Sequence, residues 1–518
     1  MYAQRYGLLA GGACLLMTLA CTAQAPAPGS AGSLRIEVTA APGLISTPSD
    51  GRLFVVLGKE ADPEPRLGIG RTGLDRPPVV ARDVSAWDGS TAAVLDGTAV
   101  AFPVASLDAV PDGDYVAQAL LDTNVDLKSV NAPGNLYSAP TPVTITRGSG
   151  AVVHLDLTAR VPDETLPPET DYLRFVKIQS EKLTAFHGRP IYLRAGIILP
   201  RGYADEPTRT YPLRVRIGGY GASYTRVQRM MADDSEFRKA WLADDAPRFV
   251  LLHLDGDGPL GDPYQVNSDN HGPYGDAITE ELIPYVEREF RGIGEPRTRV
   301  LDGGSTGGWV SLALQVFYPD FFNGTWSSCP DGVDFRGFQL VNIYEDDNAY
   351  VNTHGFERPS AREVTGDVRF TMRHEVSMEN VLGRHDSWAL SGGQWGAWNA
   401  TYGPRGADGL PVPLWDPVTG AIDRSVTDHW KRYDLRMYVE DHWSELAPRL
   451  RGKIRVFMGD ADSYFLNNAA RMLETFFAGA TPGYGGRMVF APGEGHCWVG
   501  MDDRAMLAEM GRVTGARP

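Results

Sequence analysis

The sequence predicts an α/β domain with a mostly parallel sheet, preceded by an N-terminal β-sandwich domain. From Leu34 to about Val161, short alternating runs are separated by Gly, Pro and Asp, which is the pattern of strands and turns. After residue 172, strand-like runs alternate with helical ones, which is typical of a parallel sheet covered by helices. Residues from about 332 to 450 lack clear βα units, which indicates a long insertion between two strands of that sheet.

The composition indicates a soluble globular protein. The chain has 518 residues, enough for several domains with sizeable cores. Its formal net charge is -16, and no cluster of Lys and Arg interrupts the acidity, which argues against a nucleic-acid-binding protein. The acidic residues are spread along the whole chain, so they indicate a solvated surface rather than a specific partner.

The N-terminus has the features of a signal peptide, predicted over residues 1–21. Arg5 precedes an apolar run at 7–20 that is too short to span a bilayer, and small residues follow it. The stretch "TLAC" resembles a bacterial lipobox with Cys21 as the lipidated residue, although Thr18 stands where Leu is usual. Ordinary cleavage a few residues later is the alternative. We expect an exported protein, either secreted, periplasmic or attached to the outer membrane, with membrane contact only through such a lipid anchor.

The rest of the chain divides by composition. Residues 22–33 resemble a flexible tether, 34–161 the β-sandwich domain, 162–172 a linker, and 173–518 the α/β domain. Strands of the α/β domain are predicted at 191–200, 211–219, 248–255, 298–304, 322–328, 452–460 and 486–493. Helices are predicted at 274–290, 307–318, 467–477 and 502–513, where apolar residues recur at helical spacing.

The insertion at 332–450 is rich in tryptophan. Six of the eleven tryptophans of the chain lie in it: Trp388, Trp395, Trp398, Trp415, Trp430 and Trp443. They are compatible with a packed subdomain that has its own small core. They are equally compatible with a lid or substrate wall, since indole rings suit sugar rings and aromatic acyl groups.

The stretch "GGSTG" at 303–307 matches Gly-x-Ser-x-Gly between a predicted strand and a predicted helix. A nucleophilic serine at such a turn needs strained backbone angles, and the flanking glycines let the chain pass closely, as in the α/β-hydrolase fold. Ser305 is therefore the candidate nucleophile. A glycine-rich turn that binds phosphate, or nothing, is the alternative.

A serine hydroxyl needs a base, and the chain order in this fold is Ser, then acid, then His. His496, in "GEGHCWVG" after the last predicted strand, is the candidate base, and it lacks partners at the spacing of a metal site. The acid should follow the preceding strand, where "GDAD" offers Asp462 and Asp460. The spacing from Gly459 favours Asp462 without excluding Asp460.

Ester cleavage also needs donors for the oxyanion. The backbone N–H of Thr306 is one candidate, and the glycine-rich loop at 216–224 supplies another from Tyr220 or Gly219. The stretch "HLDGDGPLGDPY" at 253–264 contains Asp-x-Asp-Gly but lacks the later ligands of a calcium loop. We predict no metal there, but a loop at the rim of the active site.

Two cysteines remain once the N-terminal pair is set aside. Cys14 leaves with the signal peptide, and Cys21 is lipidated or removed. In an oxidising compartment, Cys329 and Cys497 are expected to pair, since the ends of parallel strands meet at one rim. The predicted disulfide would hold the His496 loop against the sheet.

These motifs together resemble a known family. "NHGPYGDAITEELIPYVEREF", "RVLDGGSTGGWVSLALQVFYPDFFNGTWSSCP" and "GEGHCW" are similar to the esterase family that includes esterase D-like and enterochelin esterase-like α/β-hydrolases. The likeness covers about 173–331 and 451–515. It departs at Ile217–Gly218, where the family usually has His-Gly, and in the length of the insertion.

The resemblance implies serine-dependent hydrolysis of carboxylic esters without a cofactor, on siderophores, acylated polysaccharides, aromatic acids or small thioesters. We expect an exported serine esterase whose partner is a small-molecule or polymer-borne ester. Two other functions are compatible with the sequence: a serine peptidase on the same fold, and a surface binding protein without activity. The complete set of Ser, Asp and His argues against the latter.

Overall fold

The computed structural model describes residues 32–71 and 73–518. The predicted signal peptide, the lipidation site at Cys21 and most of the tether lie outside the described residues. Within the described part, no helix is both long and apolar enough to cross a bilayer.

Nine strands make up the N-terminal β unit, named here for residues 34–161. They are β1 (Arg35–Ala40), β2 (Ser49–Gly58), β3 (Val79–Trp87), β4 (Ala93–Leu95), β5 (Val100–Phe102), β6 (Gly113–Asp122), β7 (Leu136–Ser138), β8 (Thr141–Ile145) and β9 (Val152–Arg160). The hydrogen bonds run in the order β4-β1-β9-β7-β6-β2-β3-β5, with β8 on β6. This path joins all nine strands, so hydrogen bonding alone does not divide them into the two sheets of the predicted sandwich.

Twelve strands follow the β unit. They are β10 (Leu173–Gln179), β11 (Tyr192–Ile198), β12 (Leu213–Ile217), β13 (Val250–Leu254), β14 (Asn267–Ser268), β15 (Gly272–Pro273), β16 (Arg299–Gly304), β17 (Thr325–Ser328), β18 (Pro359–Arg362), β19 (Val368–Thr371), β20 (Ile454–Gly459) and β21 (Arg487–Ala491). Eight of them form the main sheet in the order β10-β11-β13-β12-β16-β17-β20-β21. Only β11 is antiparallel to its neighbours, and every pair from β13 to β21 is parallel. The predicted α/β fold with a mostly parallel sheet is confirmed.

Thirteen α-helices accompany the strands in the part of the chain that the structure describes. They are α1 (Glu181–His187), α2 (Val227–Met230), α3 (Glu236–Trp241), α4 (Tyr274–Ala277), α5 (Ile283–Glu289), α6 (Thr306–Phe317), α7 (Met372–Leu382), α8 (Gln394–Tyr402), α9 (Arg424–Trp430), α10 (Leu435–Asp441), α11 (Trp443–Leu450), α12 (Asn467–Gly479) and α13 (Asp503–Thr514). A π-helical turn at Ile278–Leu282 joins α4 to α5, so the predicted helix at 274–290 is one continuous element with an irregular centre.

The intervening segment, residues 332–450 between β17 and β20, contains helices α7 to α11 and the β18–β19 hairpin. All six of its tryptophan side chains are buried, with 6% or less of their surface exposed. They belong to the same apolar cluster as Leu213, Leu301 and Trp309 of the main sheet and α6. The segment therefore does not have a separate small core, because its core is continuous with that of the sheet.

The β unit packs against α7 through strand β2, which is buried on both faces. Leu53, Val55 and Leu57 face the core of the β unit, whereas Phe54 and Val56 pack in a second cluster with side chains of α7. This explains the unbroken apolar run "LFVVL" in a strand that would otherwise alternate.

Arg52 fixes the end of α7. The guanidinium, 1% exposed, donates to the carbonyls of Val381 (2.7 Å) and Asn380 (3.1 Å) in the last turn of that helix. It also pairs with Asp83 (2.8 Å) and Asp386 (2.9 Å). A cation is favourable at a helix C-terminus, where carbonyls lack intrahelical partners. The buried charge is thus compensated by two carboxylates and a helix end.

Candidate active site

Ser305 lies at the sharp turn between β16 and α6. Its backbone has φ 59° and ψ -125°, which is strained for a residue with a side chain. A Cβ atom at Gly303 would lie 2.2 Å from the carbonyl oxygen of Gly307, and one at Gly307 would lie 2.3 Å from that of Ile217. Both glycines of the motif are therefore required by close backbone approach, which is the physical reason for their spacing around the serine.

His496 lies between Ser305 and Asp462. Its Nε2 is 3.0 Å from the Ser305 Oγ, and its Nδ1 is 2.8 Å from the Asp462 Oδ2. Asp462 is fully buried, and its other oxygen accepts the backbone N–H groups of Tyr464 (2.9 Å) and Leu466 (3.3 Å). With Nδ1–H donating to Asp462, Nε2 is the nitrogen that accepts from Ser305.

Asp460 has a different position from Asp462. Its carboxylate accepts the backbone N–H of Gly493 at 2.7 Å, at the start of the loop that carries His496. Of the two carboxylates left open by the sequence, Asp462 contacts the imidazole and Asp460 anchors the loop.

The loop after β12 approaches Ser305 from the opposite side. A Cβ atom at Gly219 would lie 3.9 Å from that of Ser305, so the two residues are adjacent. In the described part of the chain, the backbone N–H groups of Tyr220 and Thr306 are bonded to no protein acceptor. Unbonded N–H groups beside a nucleophile are what an oxyanion needs. The Tyr220 hydroxyl donates to the carbonyl of Gly392 in the intervening segment.

The Asp-rich loop at 253–264 holds this oxyanion loop in place. Asp262 accepts the N–H of Gly221 (3.1 Å), and Asp255 accepts that of Tyr224 (3.2 Å). Burial raises the pKa of each carboxyl to about 7. Asp255, one of the carboxylates that resembled part of a calcium loop, is thus bonded to the loop after β12 together with Asp262.

A family model described as "Putative esterase" matches residues 193–476, more than half of the chain. The chain belongs to this esterase family. It is a carboxylic ester hydrolase, and the matched range runs from within β11 to within α12 and includes the whole intervening segment.

Several solved structures are similar to parts of this chain. A ferulic acid esterase is 14% identical with a TM-score of 0.37, covering 66% of this chain and 98% of its own. The fluorophosphonate-binding serine hydrolase F of Staphylococcus aureus is 12% identical with a TM-score of 0.38, covering 66% and 98%. An S-formylglutathione hydrolase from Agrobacterium tumefaciens is 13% identical with a TM-score of 0.36, covering 68% and 98%. At these TM-scores no feature of those proteins is transferred to this chain. No curated protein matches it by sequence.

The esterase contains the predicted disulfide between Cys329 and Cys497, which are 168 positions apart, with Cα atoms 4.8 Å from each other. The Cys329 Sγ also lies 3.1 Å from the backbone nitrogen of Ser305, which donates to it. The bridge therefore connects the turn that carries Ser305 to the residue after His496. Both sulfurs lie near His496, but bridged sulfurs are not the thiolate ligands that a metal would need.

Asp331 is a candidate functional residue that the sequence analysis did not single out. Its Oδ1 is 3.4 Å from the Ser305 Oγ, and its Oδ2 accepts the hydroxyls of Tyr264 (2.6 Å) and Thr306 (3.0 Å). Gln394 and Trp398 of the intervening segment donate to the same oxygen, at 3.5 and 3.2 Å.

Burial raises the pKa of Asp331, while hydrogen bonds and the nearby His496 oppose that rise. Its position in "SSCPD", just after a parallel strand, is the sequence feature that could have identified it, since the ends of parallel strands meet at the rim of the active site. The carboxylate links the nucleophile turn to the intervening segment.

A cavity of about 870 Å³ opens at Ser305. Its walls include Gly219 of the oxyanion loop, helices α2 and α3, and the segment from Cys497 to Met506. None of the six tryptophans of the intervening segment lines it, and none lines the second cavity of about 680 Å³ near Tyr220. The interpretation of these tryptophans as a substrate wall is therefore wrong for both cavities, because the indoles are packed in the core.

Proposed function

We propose that the esterase cleaves its substrate through an acyl-enzyme on Ser305. The observation that carries this proposal is the chain of contacts from Ser305 Oγ to His496 Nε2 (3.0 Å) and from His496 Nδ1 to Asp462 (2.8 Å). A hydroxyl is a weak nucleophile without an adjacent base, and an imidazole is held in one tautomer by a carboxylate on its other nitrogen.

In the first half-reaction, Ser305 Oγ attacks the carbonyl carbon and its proton passes to His496 Nε2. The N–H groups of Thr306 and of Tyr220 or Gly219 stabilise the oxyanion. The bond to the alcohol oxygen then breaks, and the alcohol leaves with the proton from Nε2. Water repeats the sequence on the acyl-enzyme, again with His496 as base, and releases the acid. Asp462 stays ionised and stabilises the imidazolium.

The test combines covalent labelling with turnover. A fluorophosphonate probe should label wild-type protein at Ser305, and p-nitrophenyl acetate should be cleaved. Ser305→Ala should lose labelling and at least ~10⁵-fold in kcat, because the nucleophile is gone. Asp460→Asn, which alters a carboxylate away from the imidazole, is the matched control. Unlabelled wild-type protein, or a labelled and active Ser305→Ala variant, would contradict the mechanism. Peptide p-nitroanilides in the same assay test the peptidase alternative.

We further propose that the protein is exported, with Cys21 as its lipid anchor, and acts on esters of polysaccharides, siderophores or aromatic acids. The N-terminal pattern supports export, and the family resemblance supports the substrates. Metabolic labelling with a fatty-acid analogue should mark wild-type protein and not Cys21→Ala. Acetyl, feruloyl and catecholate esters compared at equal concentration should rank the substrates. A cytoplasmic, unlabelled protein would contradict the anchor.

We also propose that residues 34–161 are a β-sandwich domain and 332–450 an insertion into the hydrolase sheet. Support comes from the position of α7 to α11 between β17 and β20 and from the separate apolar cluster inside the β unit. Limited proteolysis should cut first at the linker 162–172, whose residues are mostly exposed. Early cuts inside either unit would contradict these boundaries.

A further inference from the structure

The cavity at Ser305 continues along the segment that supplies the oxyanion loop. After Tyr224 the chain turns directly into α2, so Arg226 and Arg229 follow the loop within one or two helical turns. Both side chains are partly exposed to solvent and line the same cavity as Ser305. The position of these charges is thus tied to the position of the oxyanion donors.

Most other cations of this cavity are neutralised. Arg216 pairs with Asp302 at 2.9 Å, and Lys239 pairs with Glu236 at 2.6 Å. Arg504 pairs with Asp245. These cations already have anionic partners and have less to offer a ligand.

Arg226 and Arg229 differ from them. Among the described residues, neither guanidinium has a carboxylate, a carbonyl or an aromatic ring as a partner. Partial burial lowers the pKa of Arg226, and the positive charges of Arg229 and Arg216 lower it further. Like charges repel, so the proximity of the two guanidiniums is unfavourable in the free enzyme. Asp502 and Asp503 line the same cavity, but among the described residues neither forms an ion pair with Arg226 or Arg229. A bound anion would remove that repulsion.

We propose that this cavity binds esters that carry an ionised oxyacid group, such as a second carboxylate, and that Arg226 and Arg229 determine this specificity. This inference rests on the proposed function, because the anion is placed relative to Ser305. A guanidinium presents a planar set of donors that matches a carboxylate or phosphate oxygen pair.

Because the protein has a net charge of -16, the attraction of an anionic ester has to come from positive charges close to the active site. At -16, the protein repels anions in general, so an anionic ester gains little from long-range attraction. Two unpaired guanidiniums in a cavity of about 870 Å³ supply the attraction locally. The preference should therefore be visible in kcat/KM and should weaken with added salt, since partly exposed charges are screened.

The experiment compares esters that differ only in charge. p-Nitrophenyl hydrogen adipate carries its carboxylate in the acyl half, and its methyl ester is the neutral match. 4-Carboxyphenyl acetate and its methyl ester place the charge in the alcohol half. Rates are normalised to hydroxide-catalysed hydrolysis. We expect wild-type kcat/KM to favour the anionic member of one pair about tenfold, which also shows which half of the ester reaches the arginines.

The variants separate the two arginines from other cations. Arg226→Gln with Arg229→Gln should lower kcat/KM for the anionic ester about tenfold and change that for the neutral ester less than about twofold. Lys239→Gln, at a paired cation of the same cavity, should leave the ratio unchanged. Equal rates for anionic and neutral esters in wild type would overturn the inference. An equal fall for both esters in the double variant would do the same.

A binding measurement separates this inference from the proposed function. Ser305→Ala protein cannot turn over the adipate monoester by the proposed route, so calorimetry can follow its binding. Tighter binding of the monoester than of its methyl ester, abolished by the two arginine substitutions, would support the anion site. No such difference would overturn it. If wild type cleaves no ester, the proposed function fails, and this measurement alone decides on the anion site.

Discussion

The nucleophile turn and the base loop meet at a single hydrogen bond but are held in different ways. The turn at 303–307 is fixed by close backbone packing, since Gly303 lies against the carbonyl of Gly307 and Gly307 lies against that of Ile217 in β12, at distances that exclude a side chain. The loop at 493–500 is fixed by links to distant segments, through Asp460, Asp462 and the bridge from Cys497. Ser305 is therefore positioned by backbone packing at its flanking glycines, whereas His496 is positioned by side-chain hydrogen bonds and a disulfide.

The largest loss of activity is expected when the carboxylate that orients His496 loses its charge. Asp462→Asn should lower kcat by about 10,000-fold, because the amide can stabilise the wrong tautomer and does not compensate the imidazolium. Asp460→Asn is isosteric in the same way and lies two residues away, and it should retain activity within about threefold. If the two variants lost activity equally, the assignment of Asp462 as the orienting acid would be wrong.

The matching test of the turn adds one methyl group. Gly307→Ala places a Cβ atom 2.3 Å from the Ile217 carbonyl oxygen, and backbone on both sides cannot yield. We expect a loss of about 2–3 kcal/mol in stability and of at least about 100-fold in activity. Gly479→Ala, at the end of α12 with nothing within 4 Å of the added methyl, is the control. A stable and active Gly307→Ala enzyme would show that the turn is less constrained than its packing indicates.

Breaking the disulfide should affect the base loop more than the turn, which loses the contact of the Ser305 N–H with the Cys329 sulfur but keeps its bond to the Ser328 carbonyl. Cys329→Ser with Cys497→Ser should lower kcat about tenfold in protein that is still folded, because His496 is freer to move from Ser305. The unfolding free energy should fall by up to about 5 kcal/mol on the chain-entropy account of a long closed loop. Activity per folded molecule, with folding followed by circular dichroism, separates the two effects. Full activity in the folded double variant would show that the disulfide is not needed to hold His496 beside Ser305.

Asp331→Asn should have the smallest effect, on pH dependence more than on rate. Asp331 and the protonated imidazole of His496 attract each other, so loss of the negative charge destabilises the protonated base. The acid limb of the kcat/KM profile should therefore move to lower pH by several tenths of a unit, with kcat at neutral pH reduced only a few-fold. A simple loss of packing would lower activity without moving the limb, and an unmoved limb would contradict this role.

The same contrast explains what could be predicted from the sequence. The nucleophile turn is encoded by five consecutive residues, and helix α6 starts within one residue of its predicted start. Which of Asp460 and Asp462 contacts His496 is decided by tertiary structure. Both residues follow the same strand, and only the path of the loop that carries His496 brings the imidazole to Asp462. The tryptophans show the limit most clearly. A high content of aromatic residues indicates that their rings are buried. Because these tryptophans do not recur at helical or strand spacing, the sequence does not indicate which elements bury them.

Other elements were missed because they are short or depend on distant residues. Helices α1 to α3 have seven residues or fewer and little periodicity. Asp331 resembles an ordinary loop residue until Gln394 and Trp398 are brought to it from the intervening segment. The convergence of Arg226 and Arg229 on the cavity at Ser305 likewise requires the folded chain.

The contact of Arg52 with α7 has a consequence for synthesis. Arg52 and its partner Val381 are 329 positions apart, and the outer face of β2, with Phe54 and Val56, is covered by the same helix. At ~5–20 residues per second, a ribosome would need roughly 16–66 s to make the missing partner. For that time the first-made unit presents the apolar outer face of β2 to its surroundings, and the Arg52 guanidinium has Asp83 as a partner but not the carbonyls of α7. The β unit is therefore synthesised long before the helix that covers it. A chaperone that binds apolar surfaces would bind the outer face of β2 during that time.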